Sequence, residues 1–441
     1  VVVVTRRYQL DSSYRRFGTT LLAGSPLRVF RLGPTGEVAL RALESGGSLL
    51  SAAVPLAERL VDAGALHPVP VSGSFSIEQV TLVTPTLNTA VTHLHRGPMV
   101  VVDDGSDVPP AYPPNAKVVR NATTRGPGQA RNVGRQSVAT PLIAFVDADV
   151  TLPDGWLDAL LPHFDDPRCA LVAPRVAAAR GSTLLEQYEC SHSPLDLGTQ
   201  PARIAPLTRV GYVPAAAVVC RTDAFDAVGG FDTDLRYGED VDLVWRLVAA
   251  GWRCRYEPAS TVGHASRRTW FDWARQRLHY GSSAAPLAAR HPRSLAPAVL
   301  SPWSLALWAL VAARRPVAAA AVAVGTGLAL HRKLPTVPAP TALSLVVHGH
   351  AGAGRQLASA ARRAWWPFLV PLLVLRKTRP AALCVLIEPL CDARVRRAPQ
   401  HWPLRVVDDL TYGLGVWRGA RRQASWRALR PKVTGWPPAR G

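Results

Sequence analysis

Two carboxylates one residue apart close an apolar run: Leu142 to Val146 leads into Asp147 and Asp149 in the stretch FVDADV. Strand side chains alternate, so the two project in the same direction. Like charges held close repel unless a cation or a shared proton intervenes. A hard divalent cation, which prefers oxygen ligands, is the natural candidate. An Asp at a strand end also suits an ordinary turn, so other stretches must decide. VVVDDGS puts Asp103 and Asp104 at the end of a second apolar run, placed to accept hydrogen bonds from a base or ribose, although Asp-Gly is also simply a turn. RGPGQARNVG carries Gly126, Gly128 and Gly134 with Arg131 inside the start of a helix. Free helix N–H groups and an arginine suit a phosphate-bearing ligand, although glycine loops are often structural. GGFDTDLRYGEDVDL sets Glu239 and Asp240 before an amphipathic helix with Val241, Val244, Leu247 and Val248 on its apolar side. The helix dipole favours one acidic residue there; it does not account for an adjacent pair after such a loop.

The elements that must hold these residues follow from hydrophobic patterning. Strands are expected at Val80–Thr84, Met99–Val102, around Val118 and Val119, at Leu142–Val146 and around Leu171 and Val172, with a helix from Trp156 to Leu161. Apolar strands alternating with helical stretches imply a largely parallel sheet. Ligands bind beyond the carboxyl ends of such strands. Three regions separate by texture: residues 1–75, 76–290 and 291–441. In the first, Leu27 to Leu32 reads as a strand. A helix from Pro34 follows, with Val38, Leu40 and Leu43 apolar. A second carries Val54, Leu56, Leu60 and Val61 and ends at Gly64. With the extended ALHPVPV after it, the order fits a winged-helix module or an ordinary small α+β subdomain. In the last region Leu300–Ala313, Val317–Leu330 and the run WWPFLVPLLVL are apolar, but Arg314 and Arg315 interrupt. Short apolar runs with tryptophans and flanking arginines fit a membrane interface better than a span; a helical domain with buried apolar helices is the other reading.

The 441 residues carry a net charge of +20, which favours nucleic acid, anionic lipid or phosphorylated ligands. The basic residues are nearly all arginine; Lys117, Lys333, Lys377 and Lys432 are the lysines. None of the six cysteines falls in a CxxC pair, so they read as reduced, mostly buried thiols of a cytosolic protein. No basic-then-apolar leader opens the sequence, which starts at Val1.

VVVDDGS, GPGQARNVG, FVDADV and GGFDTDLRYGEDVDL, in this order over roughly residues 78 to 285, resemble glycosyltransferase family two. The resemblance implies a GT-A fold, an α/β architecture of a mixed sheet flanked by helices. It also implies a nucleotide-sugar donor, a divalent metal (Mn2+ or Mg2+) and inversion at the anomeric carbon. By position, Asp104 would hold the base, with Thr84 and Pro85 lining that pocket. Asp147 would lie beside the ribose and the metal, and Asp149 would be the direct metal ligand. Asp240 would be the catalytic base, with Glu239 orienting it or the acceptor. In place of the Gln-x-x-Arg-Trp motif of processive members stands RQRLHYG, whose Arg277 would help bind diphosphate. Thr86 to Pro98 is short for the family, so the first helix is expected to be truncated. His264 in TVGHASRR either faces the metal or is an ordinary histidine.

FRLGPTGEVALRALESG with LAERLVDAGALHP resembles the PqqD-like modules that bind precursor peptides. Such a module fused to a family-two transferase with an apolar, helical C-terminal region resembles the glycosyltransferases of mycofactocin maturation. A mycofactocin precursor or other peptide-derived acceptor is then implied, with UDP-glucose as donor; a lipid-linked or cell-wall acceptor is the alternative. The expected location is the cytoplasmic side of the cell membrane, against an anionic surface. No specific nucleic-acid binding is expected, because the second helix, VPLAERLVDAG, is not a basic recognition helix.

Overall fold

In the computed structural model, residues 7–47, 53–69, 73–392, 395 and 397–435 are described. They belong to two compact units, Val1–Arg267 and Arg268–Gly441. The expected region 1–75 is thus part of the first unit, and the second unit begins before residue 290.

The first unit opens with β1 (Arg7–Leu10) and a three-stranded antiparallel sheet of β2 (Arg15–Phe17), β3 (Thr20–Ala23) and β4 (Arg28–Arg31). Helices α1 (Pro34–Glu44) and α2 (Val54–Asp62) follow, and β5 (Leu66–Val69) returns to pair antiparallel with β1. Both helices carry a proline in the first turn, Pro34 and Pro55, where a fixed φ and a missing N–H are suited. Gly64, at φ 69°, turns the chain out of α2. Leu21, Leu40, Leu43, Leu60, Val61 and Leu66 make the module's core. Val38 departs from the expected apolar side: it is 61% exposed, and Ala39 is buried instead. Of the extended stretch after Gly64, Pro70 and Val71 lie outside the described residues.

The large sheet is mixed. Its order is β10-β14-β11-β13-β9-β6-β7-β8, with β12 on β14. The strands are β6 (Val80–Thr86), β7 (Met99–Asp103), β8 (Ala116–Arg120), β9 (Leu142–Val146), β10 (Val150–Thr151), β11 (Cys169–Ala178), β12 (Ala202–Arg203), β13 (Ala217–Arg221) and β14 (Arg253–His264). Strands β9, β6, β7 and β8 run parallel, and β13 joins β9 antiparallel. Near-continuous burial of β6, β7 and β9 explains their unbroken apolar texture. Helices α3 (Pro127–Arg135), α4 (Leu184–His192), α5 (Thr222–Ala227) and α6 (Glu239–Ala249) complete the unit. No helix stands between β6 and β7. The expected helix at Trp156–Leu161 is a run of turns followed by a 3-10 segment, Leu161–Asp165. Gly155 at φ 72° and Pro162, which lacks an N–H, do not sustain α-helical bonding there.

The second unit is helical: α7 (Trp270–Ser282), α8 (Ala284–Arg290), α9 (Pro302–Ala312), α10 (Pro316–Lys333), α11 (Ala339–Arg363), α12 (Trp366–Val374), α13 (Arg379–Ile387) and α14 (Trp402–Arg422). Among the described residues no helix is long and apolar enough to cross a membrane. Gly281 of α7 and Gly415 of α14 let these two helices meet backbone to backbone; a Cβ on either would run into the other helix's carbonyls. Cys169, Cys220 and Cys254 are buried, and burial raises their thiol pKa values. Cys384 and Cys391 are exposed, unlike the expected buried thiols.

Candidate active site

The acidic pairs meet at the carboxyl end of the parallel strands. β9 delivers Asp147, whose N–H donates to the Ala216 carbonyl (2.9 Å) as the chain enters a turn. β10 then pairs antiparallel with the end of β14, Val150 against His264, and so brings His264 to Asp149. His264 Nε2 is 3.5 Å from Asp149 Oδ1. Its Nδ1 sits 2.9 Å from the Ala265 carbonyl; a proton there leaves the Nε2 lone pair facing Asp149.

The second pair begins α6. Gly238 caps that helix in the left-handed region, φ 81°, and Glu239, Asp240 and Asp242 occupy its first turn. The positive end of the helix dipole favours them there. Asp242 binds Arg246 (2.7 Å), which also donates to the Val228 and Gly230 carbonyls and so fastens the GGF loop to the helix. Asp240 Oδ1 accepts from Val241 N (2.8 Å), and Oδ2 accepts from Ala215 N (3.3 Å). Burial raises the Asp240 pKa. Burial, and then the adjacent Asp240 charge, push Glu239 up to about 7, with Arg131 pulling the other way.

Arg131 joins the two pairs. Its side chain is buried, with Nη2 on Asp147 Oδ1 (2.6 Å) and Nη1 on Glu239 Oε1 (3.1 Å), and it lies over the Phe231 ring. The next residue, Asn132, was not singled out from sequence. Its amide exchanges two hydrogen bonds with the Phe231 backbone, Nδ2 to O (2.8 Å) and N to Oδ1 (2.9 Å). Gly128 admits Glu239, whose Cγ would lie 3.2 Å from a Cβ there. The stretch GPGQARNVG is thus a platform that docks the GGF…GED loop. The only hint in the sequence was that its polar residues sit on one helix beside its glycines.

The other expected donor residues are placed as follows. Asp104 accepts from Arg125 N (3.0 and 3.1 Å), Gly126 N (2.8 Å) and Asn121 Nδ2 (2.8 Å), which fixes the glycine loop ahead of α3. Thr84 is fully buried and pairs with His93 Nε2 (2.9 Å), and Pro85 is buried beside it in β6. In the helical unit Arg277 is buried against Asp408 (2.9 Å) and over the Trp273 ring.

Among the described residues no group of three or more His, Cys, Asp or Glu side chains is gathered to hold a metal ion. Asp149 and His264, 3.5 Å apart, offer an oxygen and a nitrogen donor of the kind Mg2+ and Mn2+ accept, while the Asp147 carboxylate is engaged by Arg131.

The family model described as "Glycosyl transferase family group 2" matches residues 142–387, which include Asp147, Asp149, Glu239, Asp240 and His264. The pre-mycofactocin glycosyltransferase of Mycobacterium tuberculosis (strain CDC 1551 / Oshkosh) is 39% identical over 450 residues, covering 94% of this chain and 95% of that protein. The chain belongs to the family-two glycosyltransferases. The transferase is also 37% identical over 170 residues to the N-acetylglucosaminyl-diphospho-decaprenol L-rhamnosyltransferase of the same bacterium, covering 34% of this chain and 55% of that protein. Among solved structures, the mannosyltransferase PcManGT from Pyrobaculum calidifontis, in complex with GDP-Man and Mn2+, is 14% identical, covers 88% of this chain and 97% of that one, and has a TM-score of 0.42. That likeness is too loose to carry functional detail. The transferase has the GT-A fold: a mixed sheet flanked by helices, with its acidic residues at the strand ends.

Proposed function

We propose that this enzyme is a metal-dependent, inverting glycosyltransferase that moves glucose from UDP-glucose onto a mycofactocin precursor during maturation of that peptide-derived redox cofactor. One observation carries the chemistry: the Asp147–Asp149 and Glu239–Asp240 pairs, far apart in sequence, are tied to the same buried arginine. Expelling a nucleoside diphosphate while a hydroxyl attacks from the opposite face calls for two acidic centres. Asp149, with His264 beside it, would hold the ion, which when bound supplies positive charge opposite the leaving diphosphate. Asp240 accepts the proton of the acceptor hydroxyl. The hydroxyl oxygen bonds to the anomeric carbon, the bond to the diphosphate oxygen breaks, and its electron pair leaves with the nucleoside diphosphate. Glu239, held by Arg131, fixes the start of α6 and so aims its neighbour.

End-to-end similarity to the pre-mycofactocin glycosyltransferase supports the acceptor. Among the described residues the module's β4 pairs with β3 alone, so its outer edge suits an extended peptide segment added as a strand. A second reading, a lipid-linked acceptor, is favoured by the helical unit. From Trp273 to Ile387, 115 residues contain 14 Lys or Arg and no Asp or Glu. Val317, Phe368, Val374 and Leu375 are more than half exposed on α10 and α12 or just after it. Arg314 donates to the Lys377 carbonyl (2.8 Å), which gathers basic residues beside the apolar α12. We place this face against the cytoplasmic leaflet of the cell membrane.

The test is incubation of purified enzyme with a panel of nucleotide sugars and either a mycofactocin precursor or a polyprenyl-diphosphate sugar, read by mass. Added hexose on the precursor that disappears with chelator, and with Asp149→Ala, is the expected result. Undiminished transfer in chelator would remove the metal from the reading, and transfer to the lipid alone would select the second acceptor.

A further inference from the structure

The stretch from Ile204 to Ala216 has one end in the catalytic centre and the other in the grip of the N-terminal module. It forms a tight turn closed by Ala205 N on Val210 O (3.1 Å) and by Thr208 Oγ1 on both the Ala205 and Val210 carbonyls (2.7 and 2.9 Å). Leu207 at its tip sits at φ 60°, a left-handed conformation that costs a branched residue energy and persists where the surroundings impose it.

Two residues on, Arg209 anchors this turn. Its backbone N–H donates to Ser25 Oγ (2.7 Å). Its guanidinium donates to Asp11 Oδ2 (2.8 Å), Ser12 Oγ (3.3 Å) and the Pro201 carbonyl (2.8 Å). Asp11 is itself fixed: it is 4% exposed and bonds His67 Nε2 (2.8 Å) and Ser13 N (2.9 Å). Three residues of the module, from two separate loops, thus converge on one arginine of the transferase domain.

Beyond Arg209 the chain runs directly to the chemistry. The Gly211 carbonyl accepts from Trp245 Nε1 of α6 (2.8 Å). The Ala215 N–H reaches Asp240 Oδ2 (3.3 Å), and the Ala216 carbonyl takes the Asp147 N–H (2.9 Å). Seven residues therefore span the distance from the module's anchor to a backbone that touches both acidic centres.

We propose that Arg209 is a positioning residue: through it the N-terminal module holds the turn 204–210 and so sets the backbone that aims Asp240 and Asp147. The module is then part of the catalytic scaffold as well as a receiving surface for the acceptor. The proposal rests on Asp240 being the base.

The experiment is a double-substitution cycle in the full-length enzyme. It reads nucleoside diphosphate release from whichever nucleotide sugar the wild type turns over fastest. Arg209→Ala is expected to lower kcat on the order of 10–100-fold, as misplacement of a reacting group does. Donor KM should stay within about twofold. Millimolar guanidinium should restore part of the rate of Arg209→Gly, because the side chain is 35% exposed and its site is open to solvent. Combined with Asp240→Asn, Arg209→Ala should add little further loss, since both act through one group. Unchanged kcat in Arg209→Ala, full additivity with Asp240→Asn, or a donor KM effect alone would overturn the proposal. Full kcat in Asp240→Asn by itself would instead remove the base, whatever Arg209 does.

Discussion

At the residue scale one buried guanidinium holds the chemistry together: Arg131 binds Asp147 of one acidic pair and Glu239 of the other. The pairs themselves are legible in the sequence because adjacent or alternate carboxylates at strand and helix ends are electrostatically costly and so carry information. The uses of Arg131, Asn132 and Arg209 were not readable. An arginine that binds a phosphate and one that binds two carboxylates look the same in a sequence; only the fold shows that Asp147 and Glu239 both reach Arg131. Asp104 shows the same limit, since its carboxylate lies among Arg125, Gly126 and Asn121. Asp240→Asn should keep donor binding and lose about 10²–10⁴-fold in kcat, the usual cost of removing a general base; donor affinity by titration and turnover separate the two. Glu239 makes stability depend on pH. Its carboxyl titrates about 7 in the fold, against an ordinary value of 4.5. The folded state therefore holds the proton more tightly, so this contribution is complete below the ordinary value and is lost as pH rises through about 7. Urea unfolding should show that decline between acid and neutral pH, and Glu239→Gln should reduce it, leaving the part due to the raised Asp240 carboxyl beside it.

At the element scale, patterning located β6, β7 and β9 because strands buried on both faces must be apolar throughout. It misplaced a helix at Trp156, where apolar spacing looked helical but Gly155 and Pro162 favour turns. Short β12 and the tight turn after it left no hydrophobic period to read, although that turn carries Arg209. Packing of α3 on the sheet is a glycine matter: a Cβ at Gly134 would strike Val83 Cγ1 and Val102 Cγ2. Gly134→Ala should cost about 1–3 kcal/mol in thermal or urea unfolding, as overpacking does. It should lower kcat more than its stability cost explains, because Arg131 and Asn132 ride on the same helix. A loss of stability with kcat intact would mean that α3 need not be accurately placed.

At the scale of the whole molecule, the sequence textures marked three regions, yet the module and the sheet form one compact unit. Charged contacts explain why texture alone did not reveal this: Arg253 binds Glu58, Asp62 and Asp166, and Arg209 binds Asp11, pairs that a hydrophobic profile does not register. The helical unit, whose stretch from Trp273 to Ile387 carries no Asp or Glu, should bind vesicles containing phosphatidylglycerol and not neutral vesicles, with binding weakened by salt as surface electrostatics are screened. Sedimentation with vesicles reads this directly, and equal binding to neutral vesicles would leave only the apolar contribution. The central claim is that attack and departure occur on opposite faces, served by Asp240 on one and the Asp147–Asp149 pair on the other. The anomeric configuration of the first sugar added from an α-linked nucleotide sugar, read by the proton coupling at its anomeric carbon, tests this most directly. A β-linked product is the predicted result, and an α-linked product would contradict it.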